Sequence, residues 1–254
     1  MAMNAAVVQS LTLQLLVAGL ILGFGVMALR VAPGPGTSAR QAAWFMAGVT
    51  FASEGAVALV HSILAVAAVL AGDRSDFWPV YMRFVPAGND SRSTVVLGFA
   101  LAFAWVVLLG RPSPGRRAIV CAAAGLIATG FVVGLFESPV DQQRGVDHFS
   151  ITSYLGAATA VLLFAALYRA MVRESIDWLL WVALAFYAVK EALSSNVQMV
   201  ISWAGLGGGW APTPRISLWV GLVSSFIMLA CTVRRLAIAR AGGDAPGLME
   251  RLRG

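Results

Sequence analysis

The feature that most constrains this chain is a succession of apolar runs, each about as long as a bilayer's hydrocarbon core is thick. About 20 helical residues cross roughly 30 Å of hydrocarbon, and a lipid-exposed segment satisfies its own backbone only as a helix or in a closed barrel. Hydropathy, punctuated by Arg, Pro and Gly, predicts seven spans: about 5–30, 41–71, 93–110, 117–137, 149–172, 176–203 and 215–237. The expected fold is therefore an all-α integral membrane protein, a seven-transmembrane-helix bundle over residues 1–240. A polar tail, 241–254, follows it and is too short to be a domain. Charged residues make up 12% of the chain, against about 25% in soluble domains. The first run has no basic segment before it and no small-residue cleavage site after it, so it reads as a retained helix and not as a signal peptide.

Arginine sets the expected orientation. Of the 17 arginines, twelve fall on one set of loops and at the C-terminal end, and five (Arg74, Arg83, Arg92, Arg144 and Arg215) fall on the other. The positive-inside rule then places the N-terminus outside and the C-terminus in the cytoplasm. Arginine-dominated basic usage and compact loops point to a bacterial inner (plasma) membrane. A net charge of +6 distributed at span ends is topology signalling, so nucleic acid is not an expected partner. The expected partners are the lipid bilayer and a protein meeting the arginine-rich cytoplasmic loops, RPSPGRR among them, or the bundle itself. Cys121 and Cys231 both sit near cytoplasmic span ends, which argues against a disulfide. The segment 72–92, with Phe77, Trp78, Tyr81 and Phe84 among its charges, reads as an amphipathic piece on the membrane surface. Gly19/Gly23 and Gly130/Gly134 have the four-residue spacing of close helix seams.

Against this apolar background the polar residues within spans are conspicuous, because a charge at mid-membrane depth is costly and marks a site or an ion pair. The sixth span carries Lys190, the only lysine in the chain, followed by Glu191. The second carries Glu54 and His61, seven residues apart and so on one helical face. Both spans run outward from the cytoplasm. Glu54 comes 14 residues after Arg40 and Lys190 comes 15 after Ser175, which at 1.5 Å per residue puts both about 21–22 Å from the inner edge. The expectation is a Glu54–Lys190 ion pair between neighbouring helices, since pairing is how a buried charge is tolerated. Glu191, Ser195 and Gln198 form a stripe farther out, and Glu137 and His148 would stand at the outer mouth. Glu54, His61, Lys190, Glu191, Ser195 and Gln198 are thus the candidate substrate- or proton-binding residues.

A weak internal repeat accompanies them. Ser53-Glu54-Gly55 aligns over Lys190-Glu191-Ala192, and Arg92, Gly98 and Arg111 align over Arg215, Gly221 and Arg234. This suggests a 3+1+3 pseudo-repeat, an arrangement that places binding sites at mid-membrane between halves. In outline, though without their proline–glutamine motifs, the plan is similar to that of the sugar-transporting SWEET proteins.

No enzyme is expected. There is no G-x-S-x-G or H-E-x-x-H, and the chain has only two histidines. No metal site is expected either; one built from Glu54, His61 and Glu191 is as thin an alternative as a haem between the two histidines. A lone mid-membrane lysine in a seven-helix, N-out chain is similar in topology to the microbial rhodopsins, whose lysine holds retinal. Theirs is on helix seven with an Asp one turn earlier, whereas here it is on helix six with Phe186 at that spacing. Retinal, and a haem between His61 and His148, are therefore the weaker alternatives to having no cofactor. The leading functional expectation is a small-solute or proton-linked transporter or permease. The second is a non-catalytic seven-helix sensor or an accessory subunit of a membrane complex.

Overall fold

A computed structural model of the protein describes residues 5–36, 38–71, 77–136, 151–203 and 213–253. The described residues form helices joined by short loops: α1 (Ala5–Val31), α2 (Ala39–Ala71), α3 (Phe77–Val107), α4 (Arg116–Phe136), α5 (Ile151–Arg173), α6 (Trp178–Trp203), α7 (Thr213–Arg240) and the short α8 (Leu248–Arg253). Among them there is no strand, only an isolated bridge between Asp177 and Gly247. Six helices, α1 to α5 and α7, contain stretches long and apolar enough to cross a membrane. The outer surface matches that reading. Val60, Ile63, Leu70, Leu101, Phe136, Val161 and Phe226 all point outward, a face that water would penalise and hydrocarbon accepts.

Six long helices close into a ring. α1 packs on α2, α2 on α3, α3 on α5, α5 on α6, α6 on α7, and α7 returns to α1. α4 lies outside the ring against α3, with a lesser contact to α2. The centre is aromatic. Phe51 of α2 meets Phe24 of α1 at 5.1 Å, Phe99 of α3 at 5.6 Å and Tyr187 of α6 at 4.7 Å, all edge-on. Tilted and edge-to-face rings at these separations favour one another beyond simple burial.

Glycine decides where backbones touch. A Cβ added at Gly55 would lie 2.6 Å from the Cα of Leu22, and one at Gly25 would lie 2.6 Å from the Cα of Ala52. The α1–α2 seam therefore runs through Gly25 and Gly55. The expected Gly19/Gly23 pair does not make it: Gly19 has nothing within 4 Å of an added Cβ, and Gly23 has only an ordinary contact with Leu229. Gly130 does act as a seam residue. Its position brings the α4 backbone so near α3 that a Cβ would meet the Asp90 carbonyl oxygen at 2.6 Å.

The largest correction concerns α3. The sequence reading begins this helix at 93 and leaves 72–92 on the membrane surface, yet α3 starts at Phe77 and is of membrane-spanning character from Ala87 onward. Asp90 and Ser91 are buried. Ser91 Oγ donates to the carbonyls of Ala87 (2.7 Å) and Ile127 (3.0 Å), and Thr94 Oγ1 donates to the carbonyl of Asp90 (2.6 Å). Hydroxyls that find backbone carbonyls need no water. The segment can therefore be both polar and helical inside the bundle.

At the arginine-rich end the chain folds back on itself. α7 stops in a Schellman turn, with Gly242 at φ 74°, Gly243 N donating to Ile238 O at 3.0 Å and Gly242 N to Ala239 O at 3.1 Å. α5 stops the same way with a glutamate in the left-handed position, Glu174 at φ 50°. The residues after α7 then dock against the start of α6, where Trp178 N donates to Pro246 O at 3.0 Å. The region 241–253 is held to the bundle end, more firmly than a polar tail suggests.

Candidate functional site

α2, α3 and α6 each bring one polar side chain to the middle of the ring. Glu54, 2% exposed, accepts from Arg92 Nη2 at Oε1 (3.3 Å) and from the Tyr187 hydroxyl at Oε2 (3.1 Å). Arg92 is 26% exposed, and its Nε has no hydrogen-bond partner among the described residues. Lys190 lies one turn beyond Tyr187 on α6. Its ammonium bonds its neighbour Glu191 at 2.5 Å and stands 4.6 Å above the Tyr187 ring. Tyr187 thus joins two ion pairs, giving its hydroxyl to Glu54 and its ring face to Lys190, an arrangement that also satisfies cation–π geometry.

The expected Glu54–Lys190 ion pair is therefore wrong in its partner. Three of the expected residues, Glu54, Lys190 and Glu191, do gather around one tyrosine, but the cation on Glu54 is Arg92. The physical reason is the length of α3. Its extra turns carry Arg92 inside the bundle beside Glu54, while Lys190 reaches its own neighbour first. Tyr187 was not foreseen. Its place one turn before Lys190, on the same face, was the available signal. Arg92 escapes a sequence reading because its neighbours place it among the loop arginines.

His61 stands apart from this cluster. It faces α3, as its spacing from Glu54 implies, but nearer the α4 side. There it lines a cavity of about 340 Å³ between α2, α3 and α4. The walls are mostly apolar, with Val57, Leu64, Ile127 and Phe131 facing Tyr81 and Phe84. Gly88 makes room for the imidazole, since a Cβ there would sit 3.3 Å from Nδ1. Ser195, Gln198, Glu137 and His148 lie outside the residues whose side chains are described. Among the described residues no three His, Cys, Asp or Glu side chains converge, so Glu54, His61 and Glu191 do not form a metal set.

A second polar cluster sits at the arginine-rich end. Asp177, fully buried, caps α6 by accepting from Leu180 N at Oδ1 (3.0 Å). Its Oδ2 accepts from Trp44 Nε1 (2.6 Å) and Arg235 Nε (3.3 Å). Arg235 also reaches Asp244 (2.7 Å), and Arg40 reaches Asp244 and the Ala245 carbonyl, both at 2.9 Å. The guanidinium groups of Arg234 (5.7 Å) and Arg251 (5.9 Å) both stand over the indole ring of Trp178. This cluster ties α2, α6, α7 and the C-terminal segment together, and nothing in the run of apolar spans announces it.

No protein-family model matches the chain, and a search of the curated proteins returns no match. Fold and geometry alone define its class. It is a helical membrane protein with six described helices of spanning length and two internal clusters of paired charges.

Proposed function

We propose that the protein is a non-catalytic seven-helix sensor or accessory subunit of a bacterial inner membrane, with its N-terminus outside and its C-terminus cytoplasmic. α6 is the seventh span in this reading; its 26 residues reach about 39 Å at 1.5 Å per residue. The observation that carries the reading is the closure of Glu54. Both its oxygens are taken by protein groups, and none of Glu54, Lys190 and Glu191 lines the cavity. A carboxylate that works on a passing solute or proton needs access, and this one serves packing. The ion pairs then hold α2, α3 and α6 in register, and the docked, arginine-rich end is the surface for a protein partner.

A transporter or proton-linked permease is the second reading, favoured by the order of the ring. Advancing each ring helix by four positions (α1 to α5, α2 to α6, α3 to α7) reproduces the same neighbour pairs, as a 3+1+3 pseudo-repeat requires. Its site would be Glu54, Lys190 and Glu191, extended by His61, Ser195 and Gln198. Proteoliposomes separate the two readings. The sensor reading expects a pH gradient to decay no faster than in empty vesicles, and a stoichiometric partner to co-purify from the native membrane. Flux that disappears in both Glu54→Gln and Lys190→Met would overturn it in favour of transport.

A further inference from the structure

The cavity beside His61 has a use that neither ion pair explains. Its volume, about 340 Å³, sits at the small end of ligand pockets, and an apolar cavity of about 150 Å³ already takes up benzene. One or two fused rings fit. The walls suit a flat molecule, since Phe84 and Phe131 stack on each other at 5.9 Å. Val60, Phe84 and Phe131 are also exposed on the outer surface of the bundle, so the cavity's rim adjoins the face that meets hydrocarbon.

One wall is polar. Ser91 spends its hydroxyl on two backbone carbonyls, but the His61 imidazole has no hydrogen-bond partner among the described residues; its ring lies 6.1 Å from that of Tyr81 and beside Gly88. An imidazole always presents a donor or an acceptor at each nitrogen, and leaving one unmatched beside an apolar space is costly. We infer that this cavity binds a small aromatic molecule dissolved in the bilayer, one whose single hydroxyl or carbonyl group hydrogen-bonds His61. An acyl chain from a lipid would fill the space and leave the imidazole unmet.

The test uses the full chain in phosphatidylcholine nanodiscs, with 1-naphthol as probe and naphthalene as the same ring system without a polar end. Histidine labelled with ¹⁵N in the ring gives signals from only two residues, His61 and His148, and His148→Gln assigns them. Saturable movement of the His61 signal by 1-naphthol is expected, with naphthol bound about threefold to tenfold tighter than naphthalene, the range one hydrogen bond provides. In His61→Leu the two probes should bind equally. A His61 signal unmoved by saturating naphthol would overturn the inference, and that measurement needs no variant at the site. Equal affinities in the native protein, or a naphthol preference that survives His61→Leu, would overturn it too.

Discussion

At the middle of the bundle one carboxylate is buried against an arginine and a tyrosine, each from a different helix. At the arginine-rich end another is buried against an arginine, a tryptophan and the first turn of its own helix. Glu54 depends on a single cation. Asp177 belongs to a chain in which Arg235 is shared with Asp244 and Arg40 stands behind it. Depth adds to the contrast. Glu54 lies about 21 Å along α2 from Arg40 by its helical rise, whereas the Asp177 cluster ends in an aspartate that is 68% exposed. Redundant partners and nearby water should make the end cluster yield gradually. The middle cluster has neither.

The strongest way to break that contrast is to remove the single cation. Arg92→Leu leaves Glu54 buried and uncompensated, a change that costs about 3–5 kcal/mol and should appear in equilibrium unfolding from detergent micelles. Adding Glu54→Leu should recover most of that loss, because no charge is then stranded. Lys190→Met strands Glu191 instead, which is 14% exposed where Glu54 is 2%, and should cost less than Arg92→Leu because the stranded carboxylate is less buried. If Glu54→Leu rescues Lys190→Met and not Arg92→Leu, then Lys190, and not Arg92, neutralises the buried glutamate.

At the end cluster Asp177→Ala removes a helix cap, an indole bond and a charged bond together. The expected loss is about 2–3 kcal/mol, measured the same way. Asp177→Asn should lose about half as much, because an amide oxygen still accepts from Leu180 N and Arg235 keeps Asp244, while the amide nitrogen cannot accept from Trp44 and Arg235. A smaller change of opposite sign is available beside it. Glu174 occupies a left-handed conformation that suits glycine, so Glu174→Gly should gain about 1 kcal/mol.

The two clusters also differ in how far the sequence reveals them. Apolar length and arginine placement were enough to outline the helices, and mid-span charge was enough to single out Glu54, Lys190 and Glu191. The partner of Glu54 stayed hidden because Pro86, Gly88, Asp90 and Arg92 all argue for a loop. Only the packing of α4 through Gly130, and the backbone bonds of Ser91 and Thr94, show why that stretch can be helix. The spacing rule for glycine seams succeeded at Gly130 and failed at Gly19/Gly23, because it records which residues permit close approach and not which face of α1 turns toward α2. Asp177 looked like any aspartate at the start of a helix. Its bonds to Trp44, 133 positions away, and to Arg235, 58 positions away, have no local trace.

The smallest expected effect tests whether the C-terminal segment belongs to the end cluster at all. Asp244 bonds Arg40 and Arg235, but it is largely exposed, and exposed ion pairs contribute about 0–1 kcal/mol. Asp244→Ala should therefore scarcely move the unfolding midpoint. Trypsin cleavage after Arg240, which lies just before the docked segment, should nevertheless quicken, because local opening is governed by local contacts and not by global stability. Salt provides the matching control: at about 1 M the screening length falls to roughly 3 Å, and the native chain should be cut as fast as the variant. If neither salt nor the substitution changes the cutting rate, then the Trp178–Pro246 backbone bond and buried Ala245 hold the segment. The end cluster would then consist of Asp177, Trp44 and Arg235 alone, with Arg235 as its one cation, and the redundancy that sets it apart from Glu54 would be lost.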